Sequence, residues 1–567
     1  MSAVRVNALV ATLATLVAAS ACHSSTSPEG PAPTISAVSP STGTVGTELR
    51  VIGQNFRSGA TVRVGDFDAV TAQLDGDTAA FAAVPSGVQA GTTYPVKVAN
   101  ADGGSTTYPS AFAAVAPTLR FVNSATKPSG NAGSTVIVEG DAFGDVQGSG
   151  RVLFSDGAGG TLAATISQSG DWTNTFIVTT VPSGAATGPV SVVTGTGTSD
   201  SLPFTVTQNA TFSPSAIDWS QTQDLPAALS GHHAQFVPIE DAGGTTVNYV
   251  YVSGGAGNDS VPVADVSSSV IQSDGSLSGW TSATALPAGR AFHRAVAATP
   301  FNSKVQGSGY IYVMGGIETK DGQPTTTIYR TQLGNDGTLG PWAETTPLPA
   351  PLHSFGAVVF RSAIYIAGGA STDDAPTASV YRAWIDTLGN LSAWESMPDL
   401  PSARAYFDFR TFGGYLYAVG GETGAVDPND GNYTTNSTKL PDVLYAKVDL
   451  RSGDIGTWTL NGSAMQKARS KHSALVAGGT IFVSGGLYAA AGTGSSENSY
   501  AQINSDGTVG SFAGATGSNT LESVAGVNLF NHAALAYVDA AGVAHVMILG
   551  GDDVNAPGNK QAAVLFY

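Results

Sequence analysis

Arg290, His293, His353, Arg404, Tyr406, Arg469, His472 and His532 fall near corresponding points of a pattern that recurs through the C-terminal part of the chain. Cations and aromatics ringed around one opening have the chemistry to grip an acidic or sugar ligand. On that reading the ligand-binding set is Arg290, His353, Arg404, Tyr406, Tyr433 and Arg469. The other reading is that a repeat reuses such residues for packing and hydrogen bonds, and the matched pairs Arg290/His293 and Arg469/His472 point that way. Asp427-Pro428-Asn429-Asp430-Gly431-Asn432 sets hard oxygens at short spacing, as a calcium loop would. It lacks the twelve-residue pattern and the closing Glu, so it reads as a solvated acidic loop, as do Asp373-Asp374 and Asp552-Asp553. No G-x-S-x-G, H-E-x-x-H or phosphate-loop pattern stands out. No metal site, cofactor or catalytic residue is assigned.

The elements that must position these residues are short strands. A Gly-Gly doublet ends an apolar, often aromatic strand six times, at Gly254, Gly315, Gly368, Gly420, Gly485 and Gly550. The intervals are 61, 53, 52, 65 and 65 residues. Glycine pairs permit positive φ and close backbone approach. Tyr329, Tyr381 and Tyr445 each precede a tryptophan (Trp342, Trp394, Trp458) by 13 residues, with a hairpin turn between. Asp274-Gly275 before Trp280 and Asp506-Gly507 before Phe512 repeat the arrangement, and Asp-Gly is a strong hairpin signal. Leu-Pro then recurs at Leu225, Leu286, Leu348 and Leu400. This combination resembles the kelch repeat, which implies a six-bladed β-propeller over residues 210–567. The chain ends at Val564-Leu565-Phe566-Tyr567, where a third strand belongs, while Ile217-Asp218-Trp219 precedes the first Leu-Pro. The strand around Trp219 is therefore expected to complete the last blade and close the ring.

Ahead of the propeller lie two similar modules, 34–116 and 117–207. Val51-x-Gly53-x-x-Phe56 in the first returns as Val138-x-Gly140-x-x-Phe143 in the second, 87 residues later. Each also has a Pro-Ser-Gly turn followed by an alternating strand. Such spacing argues an immunoglobulin-like sandwich. The opening Ile35 to Gly43 and the G-x-x-F turn resemble IPT/TIG domains, a family of spacers and contact modules. The second copy departs from the family pattern at Pro117 to Phe121. The expected fold class is thus all-β: two immunoglobulin-like sandwiches, then a six-bladed kelch-type propeller.

At the N-terminus, Arg5 precedes an apolar run, Ala8 to Ala19, of secretory length. It ends in Ala19-Ser20-Ala21-Cys22, and Cys22 is the only cysteine. This resembles a bacterial lipobox, although that family usually has Leu where Ala19 stands. The resemblance implies a signal peptide over 1–21, a lipidated Cys22 and a Ser/Pro-rich tether to residue 33. A plain signal peptide with an incidental cysteine is the alternative. His23 after the cysteine fits sorting to the outer membrane, and since no other segment reaches about 18 uninterrupted apolar residues, the lipid anchor is the only membrane contact expected.

The chain has 567 residues, enough for about three or four domains, with 70 Gly, 29 Pro, 12% charged and 42% hydrophobic residues. It is a folded, turn-rich chain. A net charge of −18 disfavours a nucleic-acid partner. The functional expectation is a non-catalytic surface module binding a protein or glycan, with variation concentrated in long loops such as Glu422 to Pro441. A carbohydrate-active enzyme with carboxylates at the propeller mouth is the rival. The copper chemistry of galactose oxidase, which shares the kelch fold, needs a cysteine cross-linked to a tyrosine, and the propeller has none. Ser273-Asp274-Gly275 departs from the sialidase Asp box, having Asp and Gly adjacent.

Overall fold

A computed structural model describes residues 30–123, 129–207, 212–241, 245–298, 309–424, 437–450, 452–488, 497–514, 528–539, 542–553, 556 and 558–567. Cys22, most of the tether and the loop carrying Asp427, Asp430 and Tyr433 lie outside the described residues. Those described form short strands with two 3-10 turns and no α-helix. The chain divides into two compact units, Met1–Val115 and Ala116–Tyr567.

In the first unit two sheets face each other. One orders Thr34–Ser39, Glu48–Gln54, Ala79–Ala83 and Val70–Asp75; the other centres on Ser105–Ala114 and Thr93–Ala99. Alternation does the work: along Glu48–Gln54, Leu49, Val51 and Gly53 are buried while Glu48, Arg50 and Gln54 face water. Leu49 and Val51 meet Val62, Val96, Val98 and Phe112 in the core.

The second unit begins with a sandwich of the same design. Thr118–Val122 pairs with Thr135–Asp141 as Thr34–Ser39 pairs with Glu48–Gln54, with a bulge at the same place in each. The G-x-x-F turn explains the match. A Cβ on Gly53 would lie 1.8 Å from the Thr34 carbonyl oxygen, and one on Gly140 would lie 2.0 Å from that of Thr118. Thus the departure at Pro117 to Phe121 changes side chains without changing the strand's role.

From Ile217 onward the described residues build six antiparallel sheets of four main strands each. The innermost strands are His233–Glu240, Arg294–Ala298, Gly356–Phe360, Asp408–Phe412, Ser473–Ala477 and Ala533–Val538. Each packs beside the next, and the sixth beside the first, so the sheets are the blades of a closed propeller. Blade 6 takes its outer strand from the start of this region: Ser220–Gln221 pairs with Lys560–Phe566, Ser220 opposite Phe566. Trp219, directly before it, is buried, its ring 6.4 Å from that of Phe482.

The tyrosines of the second strands are staples between blades. Tyr251, Tyr312, Tyr365 and Tyr417 donate their hydroxyls to the carbonyls of Gly337, Gly389, Gly453 and Gly507, at 2.6, 2.8, 2.6 and 3.0 Å. Each acceptor sits in the outer hairpin of the following blade. The tryptophans hook the other way: Trp280, Trp342 and Trp458 donate to the carbonyls of Gln223, Thr284 and Pro398 in the preceding blade. The second sandwich meets blade 3 through Glu139, 3.2 Å from Arg361, whose guanidinium also donates to the Leu450 carbonyl.

Candidate functional site

The inner strands all start from one device. Gly231, Phe292, Ser354, Tyr406, Lys471 and Asn531 hold the left-handed conformation, with φ between 51° and 61°. Each amide donates to the carbonyl of its counterpart one blade back, and Gly231 to that of Asn531, over 2.8–3.1 Å. The result is a closed hydrogen-bonded ring of six residues around the mouth. Five are not glycine, and left-handed backbone costs a non-glycine residue about 1–2 kcal/mol. The ring's hydrogen bonds hold them there. Over it, the Tyr406 ring makes an edge contact with Phe292 at 6.0 Å, and the Lys471 ammonium sits 4.6 Å from the Tyr406 centroid.

The repeated arginines are not ligand groups. Arg290 gives Nη1 to the carbonyls of Gly315 and Thr327 and Nη2 to Glu318. Arg404 bonds the Gly420 carbonyl and grips Asp442 with both Nη atoms, at 2.9 and 3.0 Å. Arg469 donates to the carbonyls of Gly485 and Glu497 and to Ser499. All three are 0% exposed. Each binds the carbonyl of the first glycine of a Gly-Gly doublet, tying the end of one strand to the start of another. His353, also 0% exposed, faces Ser354 and Asp374. Tyr406 is buried in the ring just described. Five of the six expected ligand residues are therefore parts of the scaffold, and the sixth, Tyr433, lies outside the described residues.

The histidines are wedges. The residue after each left-handed position is His232, His293, Phe355, Phe407, His472 or His532, and it fills the space under a Gly-Gly doublet. A Cβ on Gly254 would lie 2.9 Å from the His293 ring, and one on Gly550 would lie 2.8 Å from that of His232. Burial holds these imidazoles neutral, pushing His232 and His472 down to about 4 and His293 and His532 down to about 3.

Two carboxylates at the mouth escaped the sequence pattern. Glu422 and Asp552 occupy the place two residues after the first glycine of the doublet, where blades 1, 2, 3 and 5 carry Ala256, Ile317, Ala370 and Leu487. Each faces a lysine across the strand pair: Glu422 with Lys439, Asp552 with Lys560. Each also accepts from a serine of the following blade, Ser470 or Ser230. Asp552 and Asp553 are buried, so the reading of that pair as solvated is corrected; an acid held by a lysine and a serine need not face water. Burial pushes Glu422 up, but Lys471 and Lys439 outweigh it and hold the carboxyl below its usual range.

Below the ring, residues two and four places past the left-handed position share one face of each inner strand. They are His233/Gln235, Arg294/Val296, Gly356/Val358, Asp408/Arg410, Ser473/Leu475 and Ala533/Leu535. The polar ones are in blades 1, 2 and 4, with Ser473 in blade 5. Arg294 reaches from blade 2 to the Phe355 carbonyl of blade 3 and the Phe407 carbonyl of blade 4. Arg410 donates to Asp408 at 3.1 Å and to the Ala474 carbonyl. Burial pushes Asp408 up, yet Arg410 and Arg294 win and keep it below the ordinary carboxylate range. No spacing rule in the sequence separates Arg294 from Arg290, because only the closed ring defines which face looks inward.

Against known proteins, residues 33–114 match the IPT/TIG domain family, so the first sandwich is an IPT/TIG domain. No curated protein matches the chain. Among solved structures it is similar to YjhT, at 12% identity over 60% of this chain and 95% of that one, with a TM-score of 0.42.

Proposed function

We propose that the chain is a surface lipoprotein, anchored through Cys22, whose propeller is of the kelch type and works as a non-catalytic binding module for a protein or glycan. The observation carrying this reading is that the repeated polar residues at the mouth are buried parts of the scaffold. Its repeated arginines are hydrogen-bonded into the scaffold and its histidines and tyrosine are buried in it, which leaves the loops after the Gly-Gly doublets as the variable surface on that face. The IPT/TIG domain and the sandwich after it suit the work of spacers between an anchor and such a head. The state of the mouth carboxylates also favours binding over glycoside hydrolysis. Glu422 at the mouth, like Asp408 below the ring, is held low by cations, whereas a glycosidase's general acid needs a raised value.

The test incubates the soluble chain from Pro33 with polysaccharides and cell-wall polymers, recording retention and soluble products together. Retention without products is expected. Products abolished by a single Asp or Glu substitution would install the carbohydrate-active enzyme instead. Labelling of the full chain with radioactive palmitate in a bacterial host, lost in Cys22→Ala, is the expected result for the anchor.

A further inference from the structure

The central channel contains a polar cluster that the ring does not use up. Gln235 is only 8% exposed, and neither its amide nitrogen nor its amide oxygen has a hydrogen-bond partner among the described residues. His233, two residues before it on the same strand face, has an unpartnered buried Nδ1. Arg294 and Arg410 direct their Nε and Nη2 atoms to carbonyls and to Asp408, and none of these bonds among the described residues is made by an Nη1 atom. Both arginines lie deep in the propeller, yet their side chains keep 22% and 25% of their surface accessible, so a space large enough for water runs beside them.

The charges there do not balance. Two guanidinium groups face one carboxylate, Asp408, which accepts from Arg410 and from the Ala474 amide and lies 4.0 Å from Arg294. The other polar group on the same strand faces is Ser473, whose hydroxyl donates to the His532 carbonyl, and Val296 and Val358 on those faces pack into the cores between blades. A buried excess of positive charge beside unsatisfied N–H donors is what a small anion requires.

We propose that the propeller channel binds one small monovalent anion between Arg294, Arg410, His233 and the Gln235 amide. The chemistry is that of a halide or a carboxylate, supplied free in solution or carried on an acidic ligand. The site does not depend on what the loop face binds.

The test follows the full chain at fixed ionic strength in two buffers, one halide-free for thermal unfolding and one holding sodium chloride for NMR, each titrated with sodium bromide and, separately, sodium acetate. Thermal unfolding and the chloride-35 NMR linewidth are the readouts. A saturable rise in Tm with bromide, and chloride line broadening that bromide reverses, are expected. Gln235→Leu removes both amide atoms at similar volume and is expected to fold and to weaken bromide binding at least tenfold. Arg410→Met is expected to abolish it. Displacement of chloride by acetate would identify a carboxylate-competent site; bromide binding without acetate displacement would identify a free-halide site. Absence of saturable binding in the parent chain would overturn the proposal, as would equal bromide affinity in Gln235→Leu.

Discussion

Arg290 and Arg294 are four residues apart on one blade, carry the same charge and meet opposite fates. Arg290 stands at a position the repeat reuses, and both its Nη atoms are taken by two backbone carbonyls and Glu318. Arg294 stands where the repeat varies and spans two neighbouring blades beside an accessible space. The same contrast separates Arg404 from Arg410. In a closed repeat every blade must grip the next, so a residue that returns at the same point of several blades is explained by the grip. Chemistry directed elsewhere has to be sought where the pattern breaks: Gln235, Glu422, Asp552.

The largest test of the regular positions is pH. His232, His293, His472 and His532 are neutral when folded, with values near 3 to 4, while an unfolded histidine titrates near 6.5. Their contribution is complete above pH 6.5 and is lost as pH falls toward 4, because the unfolded chain binds protons that the folded one refuses. By pH 5.5 the loss is about 1.4 kcal/mol per histidine. Urea unfolding at pH 7.5 and 5.5 measures it, and equal stability at both would mean that the wedges are not buried as described.

Arg404→Met strands Asp442 and the Gly420 carbonyl. A loss of about 3–5 kcal/mol is expected from the same unfolding experiment. A change below 1 kcal/mol would place Arg404 with the accessible arginines.

The staples give a finer comparison. Tyr365→Phe deletes the bond to Gly453 and should cost about 1 kcal/mol. Blade 5 carries Phe482 where blades 1 to 4 carry tyrosine, and the outer strand of blade 6 comes from Ser220–Gln221, with no hairpin to offer an acceptor. Phe212 instead packs edge-on to Phe482 at 5.7 Å. Phe482→Tyr is accordingly expected to gain nothing in thermal unfolding, and a rise in Tm would show an acceptor at that seam.

Much of this architecture was legible in the sequence because it rests on local rules. Gly-Gly, Asp-Gly and Leu-Pro mark turns that few other residues make, and the stray Trp219 signalled closure because a ring must fill its last blade. The G-x-x-F turn marked the second sandwich even where its first strand had diverged. The site was less legible. Arg290, Arg404 and Arg469 read as cations, since sequence gives charge and spacing but not the carbonyls that consume them. Gln235 drew no notice at all, being uncharged and unrepeated; its isolation exists only once six strands converge.

The measurement that tests the contrast most directly sets Arg404→Met beside Gln235→Leu, each unfolded in halide-free and in bromide buffer. The account predicts that Arg404→Met is destabilised in both buffers and keeps the bromide-dependent increment, whereas Gln235→Leu matches the parent chain without halide and loses that increment. An increment retained in Gln235→Leu, or lost in Arg404→Met, would contradict it.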